Sequence, residues 1–207
     1  IYRQPDLSTT IMIALLFCVL LFMGGLSYKI IFGVLAIAVP LFVIFLTLVL
    51  QPDQTLLKDY QQTRILAWLN PAEYSTAEGY QQENSKMAIG SGELFGKGLN
   101  NNEISSVKNG NFILEPQTDF IFAIIGEELG FVGGCIIIAF LLLIVIQCIL
   151  IGLRSQDLAG RIIGCGVGGL IGFQSFINIG VTTGIIPNTG VPLPFVSYGL
   201  TSLVSLY

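Results

Sequence analysis

The sequence predicts an all-α, polytopic transmembrane bundle, and three observations carry that prediction. Hydrophobic residues make up 53% of the chain and charged residues 11%, and the mean hydropathy is +0.80. Near-uninterrupted apolar runs occupy about residues 9–26, 30–50, 131–151 and 162–183, and a fifth begins near Phe195. At a rise of about 1.5 Å per residue each of the first four can cross a hydrocarbon core of roughly 30 Å, the shortest with help from its flanks or local thinning. Such runs separated by polar connections read as an integral membrane protein.

The first run resembles a signal h-region, but it has no basic n-region or clear cleavage site and a second span follows at once. The chain begins at Ile1 without a Met and stops inside an apolar run, so we expect a piece of a longer reading frame. Lys29 lies between the first two runs, and Arg154 and Arg161 bracket the short connection between the third and fourth. Short basic connections face the cytoplasm, which places residues 51–118 outside; Arg3 falls on the same outer side.

Residues 51–118 form the one large polar region. Leu56, Leu57, Ile65, Leu66 and Leu69 recur at helical spacings around Lys58, Asp59 and Arg64, as in an amphipathic helix on a membrane surface. Asn70-Pro71 should end it, because the residue before proline is pushed out of the helical region. Further on, residues 85–98 hold Gly90, Gly92, Gly96 and Gly98 with Lys86 and Lys97. Glycines admit close backbone approach and the lysines suit an anion. The phosphate-loop pattern fails, since no glycine stands five residues before Gly96 and Gly98 replaces the Ser or Thr after Lys97. A surface loop with tight turns is the reading from the residues alone.

Thr118-Asp119-Phe120-Ile121-Phe122-Ala123 followed by Glu127-Glu128 then sets three carboxylates at the threshold of the third apolar run. An anion held where water gives way to lipid is a functional candidate by default, against the plainer reading of Asp119 as a helix N-terminal residue favoured by the macrodipole. If residues 119–128 are helical, Glu127 lies about 12 Å along the axis and roughly 80° around from Asp119, and Glu128 faces nearly the opposite side. Paired glycosidase carboxylates stand about 5 Å apart, or under about 10 Å, which weighs against that chemistry within this motif. Glu127 and Glu128 therefore read as supporting groups, one of them bonded to a loop lysine or arginine.

After the fourth run, Pro187, Pro192 and Pro194 forbid regular helix in residues 184–199. Non-helical backbone near a membrane is buried in protein or lines a water-filled cavity, so this is a plain turn or a polar wall carrying Asn188, Thr189, Ser197 and Tyr198. Cys18, Cys135, Cys148 and Cys165 all lie in apolar runs, with no CxxC pair and no histidine anywhere, so they read as packing residues. A formal charge of −4 with no basic stripe excludes nucleic acid as a partner.

Together these residues resemble one family, the SEDS proteins RodA, FtsW and SpoVE. The resemblance rests on Gln4-Pro5-Asp6-Leu7, Tyr60-Gln61 with Arg64 and Asn70-Pro71, Ser85-Lys86 with Ala88-Ile89-Gly90-Ser91-Gly92, Gly96-Lys97-Gly98, the 118–123 motif, Glu127-Glu128-Leu129-Gly130-Phe131, Asn178-Ile179-Gly180 and residues 187–199. Ser8, Glu93, Leu114 and Leu200 depart from the usual pattern, and Leu200 puts a branched side chain where a second glycine is expected. The resemblance implies a fold of ten spans, of which residues 1–207 are the C-terminal part, about spans six to ten and RodA-like, within one membrane domain. It also implies a peptidoglycan glycosyltransferase that polymerises lipid II at the outer face of the bacterial cytoplasmic membrane, inverting at the anomeric carbon, for elongation or division.

On that resemblance Asp119 is the catalytic base. Arg64, Lys86, Lys97 and Ser197 are candidates for substrate contact, and Glu127 and Glu128 stand behind them. No metal ligand cluster is seen, although a divalent cation, magnesium or manganese, would fit a pyrophosphate substrate. The implied partners are lipid II, a class B penicillin-binding transpeptidase and membrane lipids. Two other readings compete. A precursor flippase suits the broken segment together with Gln174 and Asn178 inside a span, and a non-catalytic scaffold would bind the transpeptidase without polymerising.

Overall fold

The computed structural model describes residues 7–49, 65–66, 68–69, 77–99, 113 and 116–199. Among them every regular element is helical: α1 (Leu7–Met23), α2 (Tyr28–Val49), α3 (Ala77–Ser91), α4 (Ile121–Arg154) and α5 (Leu158–Thr182). The apolar runs thus become helices whose ends fall within a few residues of those expected, except that α4 begins ten residues before its run. Ile65, Leu66, Trp68 and Leu69 are helical, in keeping with the amphipathic stretch, whose other residues lie outside the described ones, as do Asn70-Pro71 and residues 200–207.

Helices α4 and α5 are long and apolar enough to cross a membrane. They form an antiparallel hairpin through residues 155–157, where the Asp157 carboxylate accepts the Gly160 N–H at 2.9 Å and the Ser155 hydroxyl at 2.7 Å. This N-cap satisfies an otherwise orphaned donor, and the two bonds hold the Asp157 carboxyl below its ordinary value, the Ser155 bond contributing most. Small residues let the hairpin close: a Cβ at Gly164 would stand 2.7 Å from the Gly152 Cα, and one at Gly168 would stand 3.2 Å from the Cys148 Cβ. In lipid, where burial of apolar surface drives no association, such close approach supplies the packing. On α5, Gly166 and Gly169 face Leu20 and Val19 of α1, while Met12 of α1 packs on the core at the opposite end. The N-terminus of α1 therefore lies at the same end of the bundle as the 118–123 motif.

Two clusters form the core there. Ala88, Ile113, Phe120, Ala123, Ile177, Val181 and Val191 make one, and Phe122, Ile125, Leu141 and Leu193 the other. They join α3, α4, α5 and the proline-rich segment around the carboxylate motif. Residues 85–91, expected as loop, are instead the last turns of α3. Their glycine and serine content is overridden by packing, since Ser85 is fully buried and Ala88 is 5% exposed.

Candidate active site

Helix α4 is not one straight rod. Gly130 sits inside it with φ 68° and ψ −167°, so two helical pieces meet at a kink. A break leaves carbonyls of the first piece and N–H groups of the second without intrahelical partners. The glycine-rich loop supplies them: Lys97 N–H donates to the Glu127 carbonyl at 2.9 Å and Gly98 N–H to the Glu128 carbonyl at 3.1 Å. In return Phe131 N–H donates to the Glu93 carbonyl at 2.9 Å and Val132 N–H to the Leu94 carbonyl at 3.1 Å. The approach leaves no room for side chains, because a Cβ at Gly96 would overlap the Glu128 carbonyl and one at Gly130 the Gly96 nitrogen. Gly92 and Gly96 are thus spent on close approach to the α4 backbone.

Lys97 Nζ meets Glu127 Oε1 at 3.1 Å, with the two side chains 27% and 3% exposed. The loop lysine expected to pair with one of the two glutamates is thus Lys97, and Glu127 lies among the fold's supports. Its ammonium is engaged with protein in this state. Lys86 pairs with Glu83 one turn earlier on α3, and its methylenes lie beside Gly184, where a Cβ would stand 2.8 Å from the Lys86 Cδ. Arg64 falls outside the described residues.

Asp119 lies in the turn before α4, not on the helix, so the helical projection from Asp119 to Glu127 does not apply. The N-cap position is Phe120, with no side-chain cap bond, and Asp119 directly precedes it at the N-terminal end of α4. Two segments hold this turn. The Ser197 hydroxyl donates to the Thr118 carbonyl at 2.6 Å and accepts the Leu193 N–H at 2.7 Å. Tyr198 N–H donates to the Gln117 carbonyl at 3.0 Å. From α5, the Asn178 amide donates to the Asp119 carbonyl at 2.8 Å and to the Val191 carbonyl at 2.7 Å. Asp119 Oδ2 lies 3.5 Å from where a Cβ on Gly190 would stand, and Gly190 has φ +67°. That distance is ordinary contact, and it is the left-handed backbone that calls for glycine there.

Ser197, a candidate for substrate contact, is 4% exposed with its hydroxyl bonded on both sides to backbone, while the neighbouring Tyr198 is 75% exposed. The proline-rich segment is a non-helical turn, as its prolines require, but Ser197 and Tyr198 do not share one polar wall. The C-terminal end of α5 and the turn after it are closed by α3: Gln82 Nε2 donates to the Val181 and Ile186 carbonyls at 2.8 and 2.7 Å, and the Ser85 hydroxyl to the Thr182 carbonyl at 2.9 Å. Trp68 Nε1 donates to the Gly184 carbonyl at 2.9 Å. Below this polar layer a cavity of about 230 Å³ opens between α4 and α5, lined by residues such as Leu141, Leu142, Val145 and Phe176. Its walls suit hydrocarbon. No group of three His, Cys, Asp or Glu side chains able to hold a metal ion is gathered among the described residues.

Sequence reasoning missed three contributors. Asn178 was visible as a polar residue in a span and within a motif, Gln82 as one of several glutamines, and Gly130 within the 127–131 motif but without sign of a kink. The Asn178-Ile179-Gly180 motif was the available signal for the first.

Helices built to cross a bilayer, with a carboxylate turn, cations and broken backbone gathered at one end, define an integral membrane protein with a polar site at one membrane face. The family model FtsW/RodA/SpoVE, described as cell cycle protein, matches residues 1–207, and the chain belongs to that family. It is 40% identical over 203 residues to the peptidoglycan glycosyltransferase MrdB of Escherichia coli strain K12, covering 98% of this chain and 52% of that protein. It is 36% identical over 202 residues to the probable peptidoglycan glycosyltransferase FtsW of Geobacter metallireducens, covering 98% and 50%. A solved structure described as "Structural coordination of polymerization and crosslinking by a peptidoglycan synthase complex" superposes with a TM-score of 0.71 at 27% identity, over 98% of this chain and 53% of that one. The chain spans about half the length of the relatives it matches.

Proposed function

We propose that this chain is part of an inverting peptidoglycan glycosyltransferase that polymerises lipid II at the outer face of the bacterial cytoplasmic membrane. The observation that carries the reading is the Asp119 turn, held by hydrogen bonds from α5 and the proline-rich segment with its carboxylate beside Gly190. Glycan growth joins a sugar hydroxyl to an anomeric carbon whose leaving group is a lipid pyrophosphate. Asp119 takes the proton as the hydroxyl oxygen bonds to that carbon and the bond to the pyrophosphate oxygen breaks. The departing pyrophosphate calls for cations. Lys86 and Arg64 fill this role, Lys86 on leaving Glu83, and Lys97 does so only by leaving Glu127. Magnesium or manganese would assist by neutralising the same pyrophosphate. Ser197 acts by fixing Thr118, while Glu127 and Glu128 hold the kink.

Both substrates are lipid-anchored, so a base at the membrane face meets headgroups where they emerge, and the cavity between α4 and α5 suits their hydrocarbon. The related complex joins polymerisation to crosslinking, which supports a class B penicillin-binding protein as partner. The flippase reading loses support, because the Asn178 amide that suggested a polar path is bonded to the site's own backbone. In the intact protein, Asp119→Asn should abolish lipid II polymerisation while leaving expression, membrane insertion and thermal unfolding at parental values. Polymerisation at the parental rate would remove Asp119 as the base, and headgroup translocation without chain growth by the parent would restore the flippase.

A further inference from the structure

The geometry points to Asn178 as the positioning residue of the site: its one side-chain amide sets where the Asp119 carboxylate stands. This rests on Asp119 being the base. Asn178 lies on α5, 1% exposed, and its Nδ2 reaches two backbone carbonyls from separate segments, that of Asp119 at 2.8 Å and that of Val191 at 2.7 Å. The first carbonyl belongs to the residue carrying the carboxylate. The second belongs to Val191, the residue after Gly190, whose Cβ, were one present, would stand 3.5 Å from Asp119 Oδ2. One amide therefore fixes both the origin of the carboxylate and the wall beside it.

The amide orientation is not interchangeable. Two carbonyl acceptors demand a group with two N–H donors, so Nδ2 must face them and Oδ1 must point elsewhere. A carboxylate or hydroxyl of similar size cannot make both bonds. The rest of the helix supplies the rigidity: Thr182, one turn on, bonds its hydroxyl to the Asn178 carbonyl at 3.1 Å, and the Thr182 carbonyl takes the Ser85 hydroxyl at 2.9 Å. Asn178 is thus anchored to both α3 and α5 before it reaches the turn. Ser197 holds the Thr118 carbonyl, in the peptide unit before the Asp119 Cα, and the Leu193 N–H, whereas Asn178 bonds the carbonyl of Asp119 itself.

The test uses two variants of the intact protein in lipid vesicles, with purified lipid II as substrate. Asn178→Ala removes both donors and leaves two carbonyls bare. Asn178→Ser is the milder change, since a serine here can bond back to the carbonyl four residues earlier, as Ser175 does to the Ile171 carbonyl at 2.7 Å. For a misplacement of about 1 Å, kcat per folded molecule should fall about 100-fold in the folded variants while KM for lipid II stays within about twofold. Parental kcat in either folded variant, loss only in proportion to the unfolded fraction, or a raised KM with kcat unchanged would each overturn the assignment. The two readings fail separately. An active Asp119→Asn removes the base itself, whereas an inactive Asp119→Asn beside a fully active Asn178→Ser removes only the positioning role.

Discussion

The Lys97–Glu127 pair shows how unequal the two ends of one interaction can be. Glu127 is 3% exposed at its side chain and Lys97 is 27% exposed, so loss of the lysine takes a cation from a carboxylate inside protein, whereas loss of the carboxylate leaves an ammonium that water can still reach. Breaking a buried pair from one side costs about 3–5 kcal/mol, chiefly through the uncompensated charge left behind. Lys97→Met should approach the low end of that range, while Glu127→Gln, which keeps an acceptor for the ammonium, should cost about 1 kcal/mol. Thermal unfolding of the two variants in one detergent checks the order, and a Glu127→Gln variant less stable than Lys97→Met would contradict it. At this scale the sequence was partly readable. An acidic pair at the start of an apolar run called for a cation, but which carboxylate and which cation depended on the kink. Asp119 was readable as an anion out of place, whereas its clamp was not, since Asn178 stands 59 positions away and contributes through backbone that no side-chain pattern marks.

Among elements, the kinked helix joins the fold to the site. Apolar patterning placed a span at 131–151, and the helix in fact begins at Ile121 because Phe122, Ala123, Ile125 and Gly126 are buried against α3 and the core. Only Gly130, in the left-handed region, lets the first piece turn away from the second. Residue spacing gave no sign of this, since a glycine after Glu-Glu-Leu serves equally as a helix end or as a packing gap. What makes it a kink is the loop across from it, whose carbonyls and N–H groups complete both broken ends. Gly130→Ala would add strain of about 1–3 kcal/mol from its dihedral alone, and its Cβ would strike Gly96 and Leu94. We therefore expect Gly130→Ala to fold with a markedly lower unfolding temperature, or only at reduced yield. Gly33→Ala in α2, where a Cβ meets nothing within 4 Å, should unfold at the parental temperature. Equal stability of the two variants would mean that the loop does not seal the break.

For the whole molecule, orientation is the property that decides whether the site can reach its substrate. The charge pattern predicts it, with Lys29 and the Arg154–Arg161 connection expected on the cytoplasmic side. Packing places the N-terminus of α1 at the site's end of the bundle, through Met12, and sets Leu20, toward its C-terminus, against Gly166 near the start of α5. Helices α1, α4 and α5 then alternate in direction as a hairpin topology requires, with residues 24–27 and 155–157 at one membrane face and Asp119, Gly190 and the glycine-rich loop at the other. The run count and the basic connections made this much legible from sequence, while the joining of the outer elements was not, because it depends on bonds between residues far apart in the chain. The prediction is directional. Phe95, 79% exposed at the loop tip, changed to cysteine should react with a membrane-impermeant maleimide added outside intact spheroplasts. Gln156→Cys, in the exposed hairpin connection, should react only after the membrane is opened, since an impermeant reagent reports the side of the membrane rather than the chemistry of the thiol. Labelling of Gln156→Cys from outside would invert the bundle and put Asp119 in the cytoplasm, which would contradict the proposed polymerisation at the outer face.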